Sequence, residues 1–374
     1  MASPADQGAT FVELFFDLVF VFAITRVTHY AAHHMDAHGL VRSLIVFWLI
    51  WWGWTQFTWA LNAANTEHHQ VRLGTLIATG VAFVMAVSVE NAFAPRTEGA
   101  IWFASSYIVV RVLGLGIYYR VASDAHHRAS VVTFSLLSLL GLVAVLAGSL
   151  VDPDLREWIW LGAIAFDLGA AWIVGNSGCW ALHAGHFAER HGLIIIIALG
   201  ESLIVAGSAL TSEVSRGTMA AGAIALFMTC LLWWTYFGWV AEVLEEHLIG
   251  QAGQARARLG RDAYTFWHFP LVSGIVALAV GFETALHPAD YTLTQTAVAV
   301  GLGLTLFLVS TAGALHRAAG CVLWSRLIVL VFTLGGLAVS TSSSAQQILG
   351  ICCLGLLVIV TIEQITIRRE LASP

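Results

Sequence analysis

Long apolar runs fill nearly the whole chain, separated by short clusters of charged residues, His, Pro and Gly. Each run has about the ~20-residue length that crosses the hydrocarbon core of a bilayer. The runs predict about twelve transmembrane helices, at 11–32, 43–63, 72–93, 100–120, 130–150, 157–178, 191–211, 219–243, 264–286, 293–314, 322–342 and 346–367. We therefore predict an all-α, polytopic membrane helix bundle, in which 244–263 is the longest loop.

The composition leads to the same class of protein. Hydrophobic residues make up 58% of the 374 and charged residues only 11%, against about 25% in a typical soluble domain. Charges at Glu13 and Asp17 interrupt the first apolar run, so we expect no cleaved signal peptide. The chain has neither a basic block nor a phosphate-binding glycine loop, and its five Cys lack metal-site spacing. We expect no metal, no cofactor and no nucleic-acid partner.

The arginines in the predicted loops are unevenly distributed. If the twelve helices alternate in direction, one side of the membrane carries ten loop arginines and the other four. The ten are on the side of both termini: Arg72, Arg120, Arg128, Arg190, Arg256, Arg258, Arg261, Arg317, Arg368 and Arg369, against Arg42, Arg96, Arg156 and Arg216. Because positive charge concentrates in cytoplasmic loops, we expect both termini in the cytoplasm.

An internal repeat is visible in the tryptophan-rich helices. The motif W-T-x-F-x-W occurs at 54–59 and again at 234–239, an offset of 180 residues. The third and ninth predicted helices both end in a glutamate, Glu90 and Glu283. With six helices in each half, the pattern predicts two parallel repeats, 1–178 and 179–374.

Ionisable residues inside the predicted helices are the candidates for function. Each costs about 2.5–3.5 kcal/mol at the bilayer centre on insertion scales and so needs a partner, a cavity or a role. Position along the helices places Arg111, Asp167 and Glu201 near the midplane, as candidates for one buried network. Glu13 and Asp17 lie four residues apart on one face, as a proton or cation site would need.

Other polar and aromatic residues have two interpretations. Arg26 and His29 lie at a depth comparable with Glu90 and Glu283, so an ion pair is expected there, and such pairs can also simply tie helices together. His183, His186 and Glu189 share a helix face, either as metal ligands or, as we favour, on an interfacial segment. Cavity-lining candidates are His29, His268, Trp54 and Trp234, although most tryptophans serve packing or interfacial belts.

Three blocks in order resemble the bacterial low temperature requirement protein A (LtrA) family. They are 13–22 (ELFFDLVFVF), His186-x-x-Glu189-Arg190-x-Gly192-Leu193 leading to 199–202 (LGES), and Tyr264 through His268-x-Pro270-Leu271 to Gly281-x-Glu283. The resemblance covers most of the chain. It implies a multi-pass protein of the bacterial inner membrane, marks Glu189 and Arg190 as charge partners, and supplies no substrate.

The first helix alone is also similar to another family. Residues 15–25 resemble the FSDxVFAIAIT signature of the lysosomal potassium channels, with Phe16 in place of the serine and Leu18 in place of the glycine. The seventh helix has no second copy of that motif, which puts a duplicated pore of that kind in doubt.

Three functions remain open on the sequence. The leading hypothesis is transport or permeation of an ion or small solute, coupled to protonation of Asp17 and Glu201. The alternatives are a membrane-embedded enzyme acting on a lipid or isoprenoid, with one of those carboxyls as general acid, and a structural or regulatory membrane protein whose charges are all paired.

Overall fold

The computed structural model describes residues 8–95, 97–122, 125–175, 180, 182–212, 215–340 and 344–372. Arg96 and the side chains of Arg368 and Arg369, which entered the loop-charge comparison, lie outside the described residues. The described ranges contain fourteen α-helices, one 3₁₀ turn at Val89–Asn91 and one π-helix at Gly260–Phe266. The fold is therefore all-α.

The first seven α-helices are α1 Phe11–His33, α2 Ala37–Ala63, α3 His69–Val87, α4 Thr97–Val121, α5 Ala125–Ser149, α6 Pro153–Gly175 and α7 Ala184–Ser212. The other seven are α8 Arg216–Phe237, α9 Val240–Gly250, α10 Gly253–Leu259, α11 Trp267–Leu286, α12 Leu293–Ala319, α13 Trp324–Val339 and α14 Ala345–Ala372.

The predicted fold class is confirmed. Among the described residues, ten helices are long and apolar enough to cross a membrane. Two predicted spans fall outside those ten: α1, which carries Glu13, Asp17 and Arg26, and α13, which is 16 residues long. The protein is thus a polytopic helical membrane protein.

The prediction of a long loop at 244–263 is wrong, because helices occupy nearly all of it. Val240, Leu244 and Leu248 are fully buried at four-residue spacing, which gives α9 one apolar face despite its charged residues. The predicted eighth helix, 219–243, is divided at Gly238 between α8 and α9. The predicted third helix also ends early, and Glu90 lies in the 3₁₀ turn after it.

The described residues form two compact units. The first comprises the chain up to Ile194 together with Leu248–Thr265. In it α2 is the most buried candidate span, with 89% of its apolar window inside the protein. It packs against α1, α4 and α6, while α3 contacts α1 and α4, and α5 contacts α4 and α6.

The second unit comprises Ile195–His247 and the chain from Phe266 onward. Its most extensive packing is between α11 and α12, with α14 against α8 and α13 between α12 and α14. Gly274 and Gly303 allow the close approach of α11 and α12, because a Cβ atom at either would lie 2.7–2.8 Å from the carbonyl oxygen of the other. Small residues therefore set this helix contact.

Candidate functional site

A buried cluster of charges joins α1 to the start of α7 in the first unit. Arg190 donates from Nη1 to Glu13 Oε1 and from Nη2 to Asp17 Oδ1, both at 2.6 Å. All three side chains are fully buried. The four-residue spacing of the two carboxylates on α1 lets a single guanidinium reach both, which uses the planar fork of arginine.

Glu13 is surrounded by donors. Besides Arg190, it accepts from the amide and the hydroxyl of Thr10 at 3.0 and 2.9 Å, and His186 Nε2 lies 3.1 Å from its Oε1. Thr10 is the residue before α1, so Glu13 also closes the first turn of that helix. This carboxylate therefore has the surroundings of an ionised group.

The imidazole of His186 is held in one protonation state by Asn62 on α2. The amide of Asn62 accepts from the main-chain N–H of His183 at 2.8 Å and donates to the carbonyl of His183 at 2.9 Å, which fixes its orientation. The same Nδ2 lies 3.1 Å from His186 Nδ1. Nδ1 must therefore accept, so His186 is neutral and donates from Nε2 to Glu13.

Asp17 has fewer partners than Glu13. Its Oδ1 accepts from Arg190 and, at 2.8 Å, from the indole Nε1 of Trp54. Its Oδ2 is buried and has no hydrogen-bond partner among the described residues. With His186 neutral, two carboxylates face one guanidinium, so two ionised acids would leave a buried charge of about −1, which is costly. One proton on Asp17 makes the cluster neutral.

A second buried ion pair is formed by Arg111 on α4 and Asp167 on α6, two of the three residues that were expected from their depth to share one network. Arg111 Nη1 and Nη2 donate to the two carboxylate oxygens at 2.9 and 3.0 Å. Tyr107, Gln56 and Ser138 accept the remaining donors of the guanidinium. Charge and hydrogen bonds are both satisfied here, in contrast to the surroundings of Asp17.

The second unit contains a pair that the sequence analysis missed. Arg326 binds Glu363 through two hydrogen bonds of 2.6 and 2.9 Å, and Trp239 Nε1 donates to the same carboxylate at 2.8 Å. Arg326 also donates to Thr311 Oγ1 and to the carbonyl of Thr235. Both charges lie near the ends of the predicted helices 322–342 and 346–367, where they resemble interfacial residues. Only three-dimensional proximity shows that they are partners.

The remaining candidates of the second unit are placed as follows. Glu201 is buried in α7, 1% exposed, and Glu283 is half-buried in α11. His268 is fully buried, and its Nε2 lies 2.8 Å from the hydroxyl of Tyr236. Trp234, a candidate for a cavity wall, is 46% exposed on α8.

Arg26 pairs with Glu90, one of the two partners considered for it. Its Nη2 lies 2.5 Å from Glu90 Oε1, and His29 Nδ1 lies 2.7 Å from the same oxygen. The three side chains are 28–49% exposed. Glu189, also expected to be a charge partner, is exposed and accepts from the main-chain N–H of Ala9 at 2.8 Å.

Arg156 was counted as a loop residue and is in fact buried. Its guanidinium donates to the main-chain carbonyls of Gly148, Ala92 and Val151 at 3.1, 2.7 and 2.7 Å. These carbonyls belong to the ends of helices and their adjoining turns, where oxygens lack intrahelical donors. This arginine therefore links chain turns, a role that no spacing in the sequence indicates.

An aromatic cavity of about 80 Å³ lies in the first unit. The described residues that line it are Trp52, Thr55, Gln56, Trp59, Tyr118, Phe134, Ala171, Gly175, Trp180, Ala257, Arg261 and Thr265. No carboxylate is among these described residues. Trp54, expected at a cavity wall, instead donates to Asp17.

The π-helix shapes one wall of this cavity. A π-helical turn is uncommon and is frequent at functional sites. Where its register changes back to α, main-chain carbonyls lose their regular donors. Trp51 Nε1 donates to the carbonyl of Thr265 and Trp59 Nε1 to its hydroxyl, both at 3.0 Å. Two tryptophans of α2 thus hold this irregular segment in place.

The model of the bacterial low temperature requirement A protein (LtrA) family matches residues 8–361. The chain belongs to this family. The match includes every residue of the Glu13–Asp17–Arg190–His186 cluster. A protein of Rhizobium meliloti (strain 1021), described as uncharacterized protein RA0937, is 28% identical over 327 residues, covering 81% of this chain and 76% of the relative. No solved structure matches the chain.

Proposed function

We propose that this LtrA protein moves an ion or small solute across the bacterial cytoplasmic membrane, coupled to proton binding at Asp17. The observation that carries the proposal is the charge count of the buried cluster. Glu13 and Arg190 balance each other, His186 is neutral, and Asp17 is left with an oxygen that lacks a partner in the described part of the chain. Uptake and release of one proton would change the charge of the cluster.

Glu201 is the second proton-binding carboxylate in this proposal. It is 1% exposed and follows the apolar stretch 193–199 of α7. An ionisable residue in such a setting is a functional candidate by default, because its burial is costly. The excess of arginines on the side of both termini supports a topology with the termini in the cytoplasm.

An internal duplication of 1–178 and 179–374 also fits a transport role. Three corresponding helix pairs pack in both units: α3 with α4 as α11 with α12, α5 with α6 as α13 with α14, and α2 with α6 as α8 with α14, whereas the packing of α1 on α3 and of α2 on α4 has no comparably extensive counterpart among the described residues. The W-T-x-F-x-W motif lies within α2 and, in the second half, begins in the last turn of α8 and ends just before α9, and α2 and α8 correspond in this scheme. These parallels support the proposed repeat.

Proton flux in liposomes tests the proposal. Purified protein is reconstituted in vesicles that contain a pH-sensitive dye, and a potassium diffusion potential drives uptake in the presence of single candidate cations. We expect wild-type vesicles to acidify or alkalinise faster than empty ones. Asp17→Asn should reduce that rate at least ten-fold, and Glu201→Gln should reduce it as well.

Glu189→Gln is the matched control, because Glu189 is an exposed carboxylate beside Arg190 on the same helix. It should keep the wild-type rate. Equal rates for the wild type and Asp17→Asn would remove Asp17 from the mechanism. Wild-type vesicles no more permeable than empty ones, for protons and for every cation tried, would remove proton-coupled movement of those cations.

A structural role is the second candidate, and the two saturated ion pairs favour it. Arg111–Asp167 and Arg326–Glu363 have their charges balanced and their donors bound. Such pairs join helices without needing to change protonation state. A purely structural protein would show no flux while Asp17→Asn lowered its stability, which the same vesicles and a thermal unfolding measurement would reveal.

A further inference from the structure

Two histidines at the end of α1 lie side by side, away from the charged cluster at its start. His29 and His33 are four residues apart in the helix, and their ring centres lie 4.2 Å apart with the planes tilted by 37°. Both side chains are exposed, that of His29 by 49%. In the described helices no other two histidines have this spacing within one helix. The two imidazoles can therefore act on one bound group.

Both rings have one nitrogen held within the protein. Nδ1 of His33 lies 2.9 Å from the main-chain carbonyl oxygen of His29, and Nδ1 of His29 lies 2.7 Å from Glu90 Oε1. A carbonyl oxygen and a carboxylate oxygen act as acceptors, so each Nδ1 carries hydrogen and the neutral ring keeps its lone pair on Nε2. Histidines that bind metal ions almost always donate the other ring N–H in this way, which sets the tautomer and orients the ring.

Neighbouring histidines elsewhere are arranged differently. His68 accepts from the main-chain N–H of Gln70 through Nδ1, so the lone pair of that neutral ring is already bound. His34 follows the last residue of α1, and its ring stacks on that of Tyr30 at 4.3 Å, with Nδ1 2.9 Å from the Tyr30 carbonyl oxygen. His34 therefore resembles His33 in exposure and in its Nδ1 contact, but it does not lie on the helix face of His29.

The charges around the histidine pair are compatible with a bound cation. Arg26 Nη2 lies 2.5 Å from Glu90 Oε1, so this guanidinium is paired with a carboxylate. The C-terminal end of a helix carries partial negative charge, and His33 is the last residue of α1. No group of three or more His, Cys, Asp or Glu side chains in the described part of the chain could hold a metal ion. A metal ion at this pair therefore has two imidazole ligands and completes its coordination with water.

We infer that His29 and His33 bind one divalent transition-metal ion of the copper, nickel or zinc type through their Nε2 atoms. Two bonds of about 2.0–2.1 Å to one ion require the nitrogens to lie within about 4 Å of each other, which ring centres 4.2 Å apart allow. Imidazole suits these ions, whereas Mg²⁺ and Ca²⁺ prefer oxygen ligands. The ion is exchangeable and not a resident cofactor. The inference does not depend on proton coupling by Asp17.

Metal titration of the untagged, full-length protein in detergent tests the inference. Electron paramagnetic resonance follows Cu²⁺, which should bind most tightly, and calorimetry follows Zn²⁺ and Mg²⁺. We expect saturable binding of one Cu²⁺ with splitting from two nitrogens, weaker binding of Zn²⁺ and no binding of Mg²⁺. His33→Ala should weaken Cu²⁺ binding at least ten-fold. His34→Ala, the matched control at the next residue, should leave it unchanged.

Glu90→Gln tests the carboxylate that contacts His29. It leaves Arg26 without its negative partner and should weaken Cu²⁺ binding about ten-fold, while the two-nitrogen splitting and the helical circular dichroism stay unchanged. Three outcomes would overturn the inference: Cu²⁺ binding that His33→Ala does not weaken, equal effects of His33→Ala and His34→Ala, or splitting from a single nitrogen in the wild type. The first two would show that the ion binds elsewhere, and the third that the two rings do not share one ion.

Discussion

Asn62 Nδ2 donates to His186 Nδ1 across 3.1 Å, and this contact determines which nitrogen of the imidazole carries hydrogen. Both polar atoms of the amide are also bound to the main chain of His183, so the amide cannot turn over to accept from the ring. The charge state of the whole cluster around Arg190 follows from this orientation.

The first prediction concerns that tautomer. In wild-type protein with 15N-labelled histidine, His186 should show an unprotonated Nδ1 and a protonated Nε2 at neutral pH. Asn62→Leu removes the donor and should let a second tautomer or the imidazolium form appear. Solid-state NMR of the ring nitrogens measures this directly. A wild-type His186 protonated on both nitrogens would contradict the charge count on which Asp17 depends.

The second prediction concerns the contribution of the Arg111–Asp167 ion pair to folding stability. Arg111→Leu leaves Asp167 buried without its partner and should cost about 3–5 kcal/mol of folding free energy. The double variant Arg111→Leu, Asp167→Leu removes both charges and should recover most of that loss. Unfolding by SDS titration measures the three free energies. A double variant no more stable than the single one would mean that the pair does more than join α4 to α6.

The two buried ion pairs differ in how well the sequence predicts them. Arg111 and Asp167 could be matched because each lies deep within a long apolar run, and depth along a helix is readable from position. Arg326 and Glu363 lie near helix ends, where charge is usual, so nothing marked them. Asn62 and Trp51 are ordinary core residues in the sequence, and their roles depend on the main-chain atoms that the fold brings beside them.

The segment from 244 to 266 shows a different limit on predicting secondary structure from the sequence. The charged residues between 244 and 263 predict a loop, whereas the four-residue spacing of Val240, Leu244 and Leu248 is a helical signal in the same stretch. The π-helix has no comparable signal, because its extra residue per turn becomes visible only in the backbone. The block at 264–271 belongs to the family resemblance, and the sequence predicts an ordinary helix from residue 264 onward.

The third prediction tests the contact that supports this segment. Trp51→Phe keeps the aromatic packing and removes the donor to the Thr265 carbonyl, which should cost about 1–3 kcal/mol if the carbonyl stays buried. Trp48→Phe, also on α2 and buried, is the control for the loss of an indole nitrogen. Hydrogen exchange at 260–266 should rise in the first variant only. Unchanged exchange there would show that Trp51 does not hold the π-helix.

The fourth prediction uses the start of α2. Asp36 accepts from the main-chain N–H of Gly39 at 2.9 Å, and this bond lowers the pKa of its carboxyl. A carboxyl whose pKa is lower in the folded than in the unfolded state stabilises the protein at pH values above its unfolded pKa. That stabilisation is lost as the pH falls through the folded pKa. Asp36→Ala should thus lower the thermal midpoint at pH 7. The drop relative to the wild type should become progressively smaller below about pH 4. Asp36→Asn keeps a capping oxygen and should lower the thermal midpoint by less than Asp36→Ala does.

The last prediction distinguishes the two carboxylates that Arg190 binds. If Asp17 holds the proton of the cluster at neutral pH, Asp17→Asn replaces one neutral group by another, and folding stability should change by less than about 1 kcal/mol. Glu13→Gln removes the carboxylate that accepts from Arg190, Thr10 and His186; Asp17 can then ionise to balance Arg190, but the lost charge-assisted hydrogen bonds should still cost about 1.5–3 kcal/mol. The two substitutions are chemically equivalent and lie one helical turn apart. Unfolding in detergent at pH 7 therefore assigns the proton: the reverse order of stability would place it on Glu13, and equal losses would mean that the two acids share it.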